Sequence, residues 1–399
     1  MFESFTLKSS QFHGLTSEIL DFTSVRGSTV GNLIHHLTFF GAALGSYPHV
    51  EWRGAVYADL NCILVGTSGC GKGESLGIIN QLYAFPAEVR ELLAPTKNTT
   101  LTSGKRTIQM INSVLMTCED GETRFLSIDE ECSAQIVSAS LWNNTLAQML
   151  IKFIDGAEVS ETCNRRLISI PPLHFGSIGH ITPLALIDSL RHMTFFNGLG
   201  NRFLFMGIPT PEYDEHDGSY PEEGMIELRK KLIESLVDGG ARTRVEIDAE
   251  AREVFLHLVR SLRAATCTDR LRALQQRMPV MCLKLAMTLA LVNREASITR
   301  QTMEEACTII DYSRKTIAEL FGASEEESPE QVILHYLQEH GRTQRTPLMQ
   351  ALSSRLPRNV IETALTSLIN HSRVTKTVQT IARGRRPEFF ELAQASTAA

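Results

Sequence analysis

No stretch of this sequence approaches the ~18 uninterrupted apolar residues that a membrane-spanning helix requires. The best candidate, residues 281–292, is broken by Lys284. The first ten residues carry Glu3 and no apolar centre, so they do not read as a secretory signal. The eight cysteines (Cys62, Cys70, Cys118, Cys132, Cys163, Cys267, Cys282 and Cys307) form no CxxC pair, and none stands beside histidine at zinc-finger spacing. That excludes a disulfide scaffold and leaves reduced thiols in a cytoplasmic protein as the expectation. Internal repeats and low-complexity tracts are also missing. Charge is not extreme: 39 Lys+Arg stand against 45 Asp+Glu, a net of −6, and 43% hydrophobic with 21% charged residues excludes a disordered or collagen-like chain. At ~150 residues per domain, the 399 residues accommodate two or three domains.

What is present is an alternation of short apolar runs and helical periodicity. Residues 12–46 show helical spacing through Ile19, Leu20, Leu33, Ile34, Leu37 and Phe40. Strands are expected at 62–65, 125–128, 173–178 and 203–206, with helices most clearly at 140–154 and 184–193. Such alternation predicts an α/β domain with a largely parallel sheet. The acidic, proline-bounded stretch 211–224 reads as a surface loop closing that domain. Residues 225–320 read as helical throughout, and 323–329 as a linker or the cap of the next helix.

The last segment predicts helices at 331–339, 346–356 and 358–370, then strands at 373–380 and 388–392 around the turn 383–387. Three helices and a hairpin is the order of a winged helix-turn-helix, which sets a helix in the DNA major groove; a protein-docking module can share that order. Between 329 and 392, nine basic residues face five acids, on a chain that is acidic overall. Arg383, Arg385 and Arg386 cluster at the expected wing tip, where phosphate contact is the functional reading.

The residues Gly66, Thr67, Ser68, Gly69, Cys70, Gly71 and Lys72 fit GxxxxGK between an expected strand and an expected helix. Glycines let the backbone curl so that N–H groups meet phosphate oxygens, and the following helix adds its positive end. Lys72 is the candidate for the β/γ-phosphates. Gly73 stands where a Ser or Thr ordinarily gives a hydroxyl to Mg²⁺; Glu74 follows, and Ser75 or water is expected to substitute. Asp129 and Glu130 end the second expected strand, 57 residues beyond Lys72. They are read as the metal-side carboxylate and the carboxylate that polarises water, with Glu131 as an alternate for either role. His180 and Thr182 follow the third strand and can sense the terminal phosphate or orient water. Arg202 precedes the fourth strand, where it can reach a neighbouring subunit's nucleotide. Arg277 can approach the phosphates from the helical region. Residues 157–170 alternate like a hairpin turning near Cys163, with Arg165 and Arg166 after the turn as candidate DNA contacts.

Together FHGLTSEILDF (12–22), NCILVGTSGCGKGES (61–75), LTSG (101–104), SIDEE (127–131), GSIGHIT (176–182) and NGLGNRFLF (197–205), with FGAS (321–324) and GRRPEFFEL (384–392), resemble a bacterial P-loop family of plasmids, phages and prophages, often fused to primase-polymerase domains. The resemblance implies an AAA+-like helicase or ATPase core. In that family the lysine is followed by Gly-Thr-Ser; here Glu74 replaces the threonine. It supports Lys72, Ser75, Glu130, Glu131 and Arg202.

The expected organisation is an N-terminal helical segment (1–50), a P-loop ATPase core (51–224), a helical lid (225–322) and a winged-helix domain (330–392). The expected function is that of an ATP- and Mg²⁺-dependent, DNA-acting, helicase-like replication factor of a mobile element. Its expected partners are DNA, further copies of itself in a ring or filament of as many as six, and primase or other replication proteins. Two alternatives are a nucleotide-gated DNA-binding initiator or regulator with little hydrolysis, and an antiphage defence ATPase.

Overall fold

The strands Asn61–Val65 and His174–Ile181 are buried at every position. Strands with no solvent face belong in the middle of a sheet covered on both sides. The computed structural model places them there: the order is Thr96–Asn98, Arg124–Asp129, His174–Ile181, Asn61–Val65, Leu204–Gly207, and every pairing is parallel. The α/β expectation holds, and the four strands read from apolar runs are all present. The fifth, Thr96–Asn98, is exposed at all three residues and carries no apolar pattern.

The structure describes residues 2, 4–118, 121–141, 144–163, 165–189, 198–210, 220–322, 329–353, 356–371, 373–379 and 387–393. They belong to two compact units, Met1–Gly322 and Ala323–Ala399. The expected segments 1–50, 51–224 and 225–322 all lie in the first unit and share one continuous core running from Phe2 to Phe321.

The helical region at 12–46 is two helices, Gly14–Thr23 and Thr29–Leu44, parted by a turn that contains Gly27 at φ +72°. The helix expected at 140–154 forms over Leu146–Ile154, and a separate helix, Ser133–Ser140, ends where it was expected to begin. Of the helix expected at 184–193, Pro183–Ser189 is described and the remainder lies outside the described residues. The same holds for 211–219 of the expected acidic loop, whose last residues begin the helix Glu222–Gly240. Four further helices follow: Ala249–Ala264, Asp269–Gln275, Met278–Val292 and Arg300–Phe321. Sequence reading missed one feature here, a two-residue parallel pairing of Glu246–Ile247 with Ser297–Ile298.

The longest apolar run is explained by Met278–Val292, a helix buried almost all round inside this unit. Lys284 is tolerated there because its ammonium donates to the Asp59 carboxylate at 2.6 Å and to the Asp59 carbonyl at 2.9 Å. Among the described residues, no helix is long and apolar enough to cross a membrane. All eight cysteines are free thiols.

The second unit runs Pro329–His340, Thr343–Gln344, Arg345–Leu352, Arg358–Asn370, Val374–Val378 and Glu388–Leu392. Its three strands pair antiparallel, with Glu388–Leu392 in the centre. A separate small core includes Ile333, Leu337, Leu348, Ile361, Leu368 and Phe390. Arg383, Arg385 and Arg386 lie outside the described residues.

Candidate nucleotide site

In open parallel sheets, ligands bind beyond the carboxyl ends of the strands. Val65 ends its strand and the chain turns through Gly66–Gly71 into the helix Lys72–Leu82. The loop is anchored to the sheet by the Gly66 N–H, which donates to the Ile181 carbonyl at 3.1 Å. Gly69 (φ +79°) and Gly71 (φ +87°) take the left-handed backbone that closes the curve. Thr67, Ser68 and Gly69 are exposed, whereas Cys70 is buried beneath them. The Lys72 ammonium donates to the carbonyls of Gly66 (2.6 Å) and Thr67 (2.9 Å), so it lies across the mouth of the loop. Gly73 and Glu74 are exposed on the first turn of the helix.

Facing this loop is the end of Arg124–Asp129, separated from Asn61–Val65 by a single strand. A side chain beginning at Gly73 would meet one neighbouring atom, Glu130 Oε2, 3.9 Å from its Cβ. Glu130 is exposed, with this oxygen on the Gly73 side of the loop. Asp129 is buried; its Oδ1 accepts from Thr100 Oγ1 (3.0 Å) and from the Glu131 N–H (3.1 Å). Its Oδ2 is buried without a partner. Burial, joined by the charges of Glu131 and Glu130, raises the Asp129 pKa above the usual carboxylate range.

An orphaned, buried carboxylate oxygen beside a second carboxylate suits a hard divalent cation such as Mg²⁺, which takes one or two protein carboxylates and fills its shell with water and phosphate. Among the described residues no group of three or more His, Cys, Asp or Glu could hold a metal by itself. The donor set therefore fits Mg²⁺ that arrives with a nucleotide.

Ser75 is not part of that set. Its hydroxyl is fully buried, accepts from the Ser28 N–H at 2.9 Å and donates to the Ser28 carbonyl at 3.4 Å. The expectation that it replaces the missing hydroxyl is corrected: two residues along an α-helix is ~200° of rotation, which turns Ser75 away from the face that Gly73 presents.

His180 lies between the loop strand and the acid strand, its position paired with Leu64. It is buried, and its Nε2 is 2.9 Å from His35 Nε2 on the helix Thr29–Leu44. Thr182 uses its hydroxyl to accept from the Ala185 N–H, capping the short helix that follows.

Arg202 and Arg277 are elsewhere. Asp155 Oδ1 accepts from Arg202 Nε (3.0 Å) and Arg277 Nη1 (2.8 Å), while Asp155 Oδ2 accepts from Arg202 Nη2. Burial works to raise the Asp155 carboxyl, but the two guanidinium groups prevail and hold it below the usual range. Both arginines line a cavity of about 400 Å³ with Asp59, Asn61, His174 and Lys284, at the amino ends of the strands. Asn61 in this lining opens the strand whose last residue, Val65, leads into the loop, so the cavity lies at the opposite end of that strand, ~13 Å from the loop along it. Arg202 and Arg277 are thus held by Asp155 at the end of the sheet away from the loop of their own chain.

The expected hairpin is present as Val159–Cys163 paired with Arg166–Ile170. Arg165 and Arg166 are exposed at its turn, together with Leu167, which is 71% exposed. Sequence reading missed Thr100, Ser28, His35 and Asp155. Each acts through a bond to a residue distant in sequence, and no local pattern marks such a bond. No family model matches the chain, and no curated protein matches it.

Proposed function

We propose that the Met1–Gly322 unit binds ATP with Mg²⁺ and hydrolyses it, as an AAA+-like P-loop core with a helical lid, in a helicase-like replication factor of a mobile element. One observation carries this reading: the Gly66–Lys72 loop ends a buried parallel strand, opens a helix, and faces Glu130 across the Gly73 position. The loop's N–H groups and the helix N-terminus would hold phosphate oxygens. Lys72 would exchange its two carbonyl acceptors for the β- and γ-phosphates. Glu130 is the exposed carboxylate that can take a hydrogen bond from an attacking water. Mg²⁺, held by Asp129 and Glu130 through their oxygens or bound water, would neutralise charge gathering on the phosphates.

Arg202 supports assembly. A guanidinium held at the opposite end of the strands from its own loop would stabilise a transition state on a neighbouring copy. A closed homo-oligomer, with six copies as the expected form, supplies that neighbour. DNA contact is supported by the exposed Arg165–Arg166 turn and by the helix and strand order of the second unit, which is that of a winged helix. Within that unit Arg345 is paired with Glu388 and Glu362, Arg358 with Glu362, and Lys376 with Glu388. These three described cations are thus committed to carboxylates, and the proposed phosphate contacts fall to other basic residues of the segment, Arg383, Arg385 and Arg386 among them.

A second reading is a nucleotide-gated DNA-binding switch with little hydrolysis. It is favoured by the absence of any hydroxyl at Gly73 and by the inward orientation of Ser75. ATP turnover with and without single-stranded DNA decides between the two. The ATPase reading expects turnover that DNA stimulates and that Lys72→Ala abolishes. Tight nucleotide binding without turnover selects the switch, and equal, unmeasurable turnover by both proteins removes the enzyme.

A further inference from the structure

His35 and His180 form a pair that the proposed chemistry does not by itself require. His35 Nδ1 lies 2.7 Å from the Gly31 carbonyl, and the two Nε2 atoms are 2.9 Å apart. A carbonyl oxygen only accepts, so His35 Nδ1 carries a hydrogen. A neutral imidazole has one N–H, so His35 Nε2 is an acceptor and His180 Nε2 must donate to it. His180 Nδ1 is then left as a bare lone pair.

We infer that His35 is a positioning residue that locks His180 in its Nε2–H tautomer, so that His180 presents an acceptor to the nucleotide site and holds an attacking water rather than a phosphate oxygen. This rests on the ATPase reading above. Both rings are neutral near pH 7: burial, with the neighbouring His180, takes His35 down to about 3, and burial with the charge of Lys72 takes His180 to about 4. His180 pairs with Leu64 and directly precedes Ile181, whose carbonyl anchors the Gly66 N–H, so its strand position adjoins the start of the loop. An acceptor cannot bind an anionic phosphate oxygen, but it can take one hydrogen of a water, whose other hydrogen is free for Glu130. The helix that carries His35 starts at Thr29, next to the Ser28 that holds Ser75, so one element braces both the loop and the tautomer.

The test is ring-nitrogen NMR on the full chain labelled with ¹⁵N-histidine, together with steady-state ATP kinetics. In the wild type, His180 is expected to show a protonated Nε2 and an unprotonated Nδ1, with or without Mg-ATP. His35→Gln can donate to Gly31 through its amide nitrogen and accept from His180 through its amide oxygen, so it should keep both the signature and kcat. His35→Phe offers neither. It should let His180 sample Nδ1–H and lower kcat by roughly tenfold or more, with KM little changed. A protonated Nδ1 in the wild type overturns the inference and leaves nucleotide binding intact. An unchanged kcat in His35→Phe, or Mg-ATP binding without turnover, overturns the water-holding role. Failure to bind Mg-ATP removes the role and the ATPase reading alike, while the tautomer, read without nucleotide, stands or falls separately.

Discussion

Gly73 and Gly27 are small for opposite reasons. At Gly73 there is room: an added Cβ meets only Glu130 Oε2, at 3.9 Å. Gly73→Ser should therefore fold normally and supply a hydroxyl to the cation, raising turnover by about tenfold and lowering the Mg²⁺ concentration needed. Turnover assayed across a magnesium series checks this, and an unchanged curve would place the cation elsewhere. At Gly27 there is none: an added Cβ would lie 2.3 Å from Ser75 Oγ and 2.6 Å from Ser75 N, on a backbone at φ +72°. Gly27→Ala should cost about 1–3 kcal/mol of stability and displace the first turn of Lys72–Leu82. Denaturant unfolding gives the size of the loss, and a wild-type midpoint would contradict the close approach.

Among the elements, the helix Gly14–Thr23 is fastened by His13, whose Nδ1 and Nε2 meet Glu305 and Glu295, both at 2.5 Å. Burial works to lower the His13 pKa, but the two carboxylates prevail and raise it above 6.5. A histidine raised in the folded state contributes stability that is complete below its unfolded pKa and is lost as pH climbs through the folded value. Glu305 is also raised, chiefly by burial, so its contribution too fades with rising pH. Melting temperatures of wild type and His13→Gln should differ more at about pH 6 than at about pH 9; an equal gap at both would dissolve the clasp. The apolar runs that formed the central strands were legible in the sequence because burial on both faces demands them, and the glycine loop because few residues accept its left-handed turns. The edge strand Thr96–Asn98 was not, since exposed residues need no pattern. Ser75 was misread because spacing along a chain ignores rotation about a helix. Arg277 was misread because its partner, Asp155, is 122 residues away, where no local signal reaches.

For the whole molecule, DNA binding and assembly make separable claims. Removing Arg383, Arg385 and Arg386 together should weaken DNA binding across sequences and flatten the salt dependence of log K by about 2.7 for duplex, with nucleotide binding unaltered; an unchanged slope would move the contact off these three arginines. If Arg202 serves a neighbour, mixing inactive Lys72→Ala with inactive Arg202→Ala protein should restore turnover, because some interfaces then join an intact loop to an intact arginine. Mixtures that stay inactive at every ratio would deny the shared site. Beneath both lies the loop itself, and calorimetric titration of the full chain with Mg-ATP tests it most directly. The account predicts saturable heat with micromolar affinity for the wild type and none for Lys72→Ala. No heat from the wild type at millimolar nucleotide, or equal heat from both proteins, would contradict it.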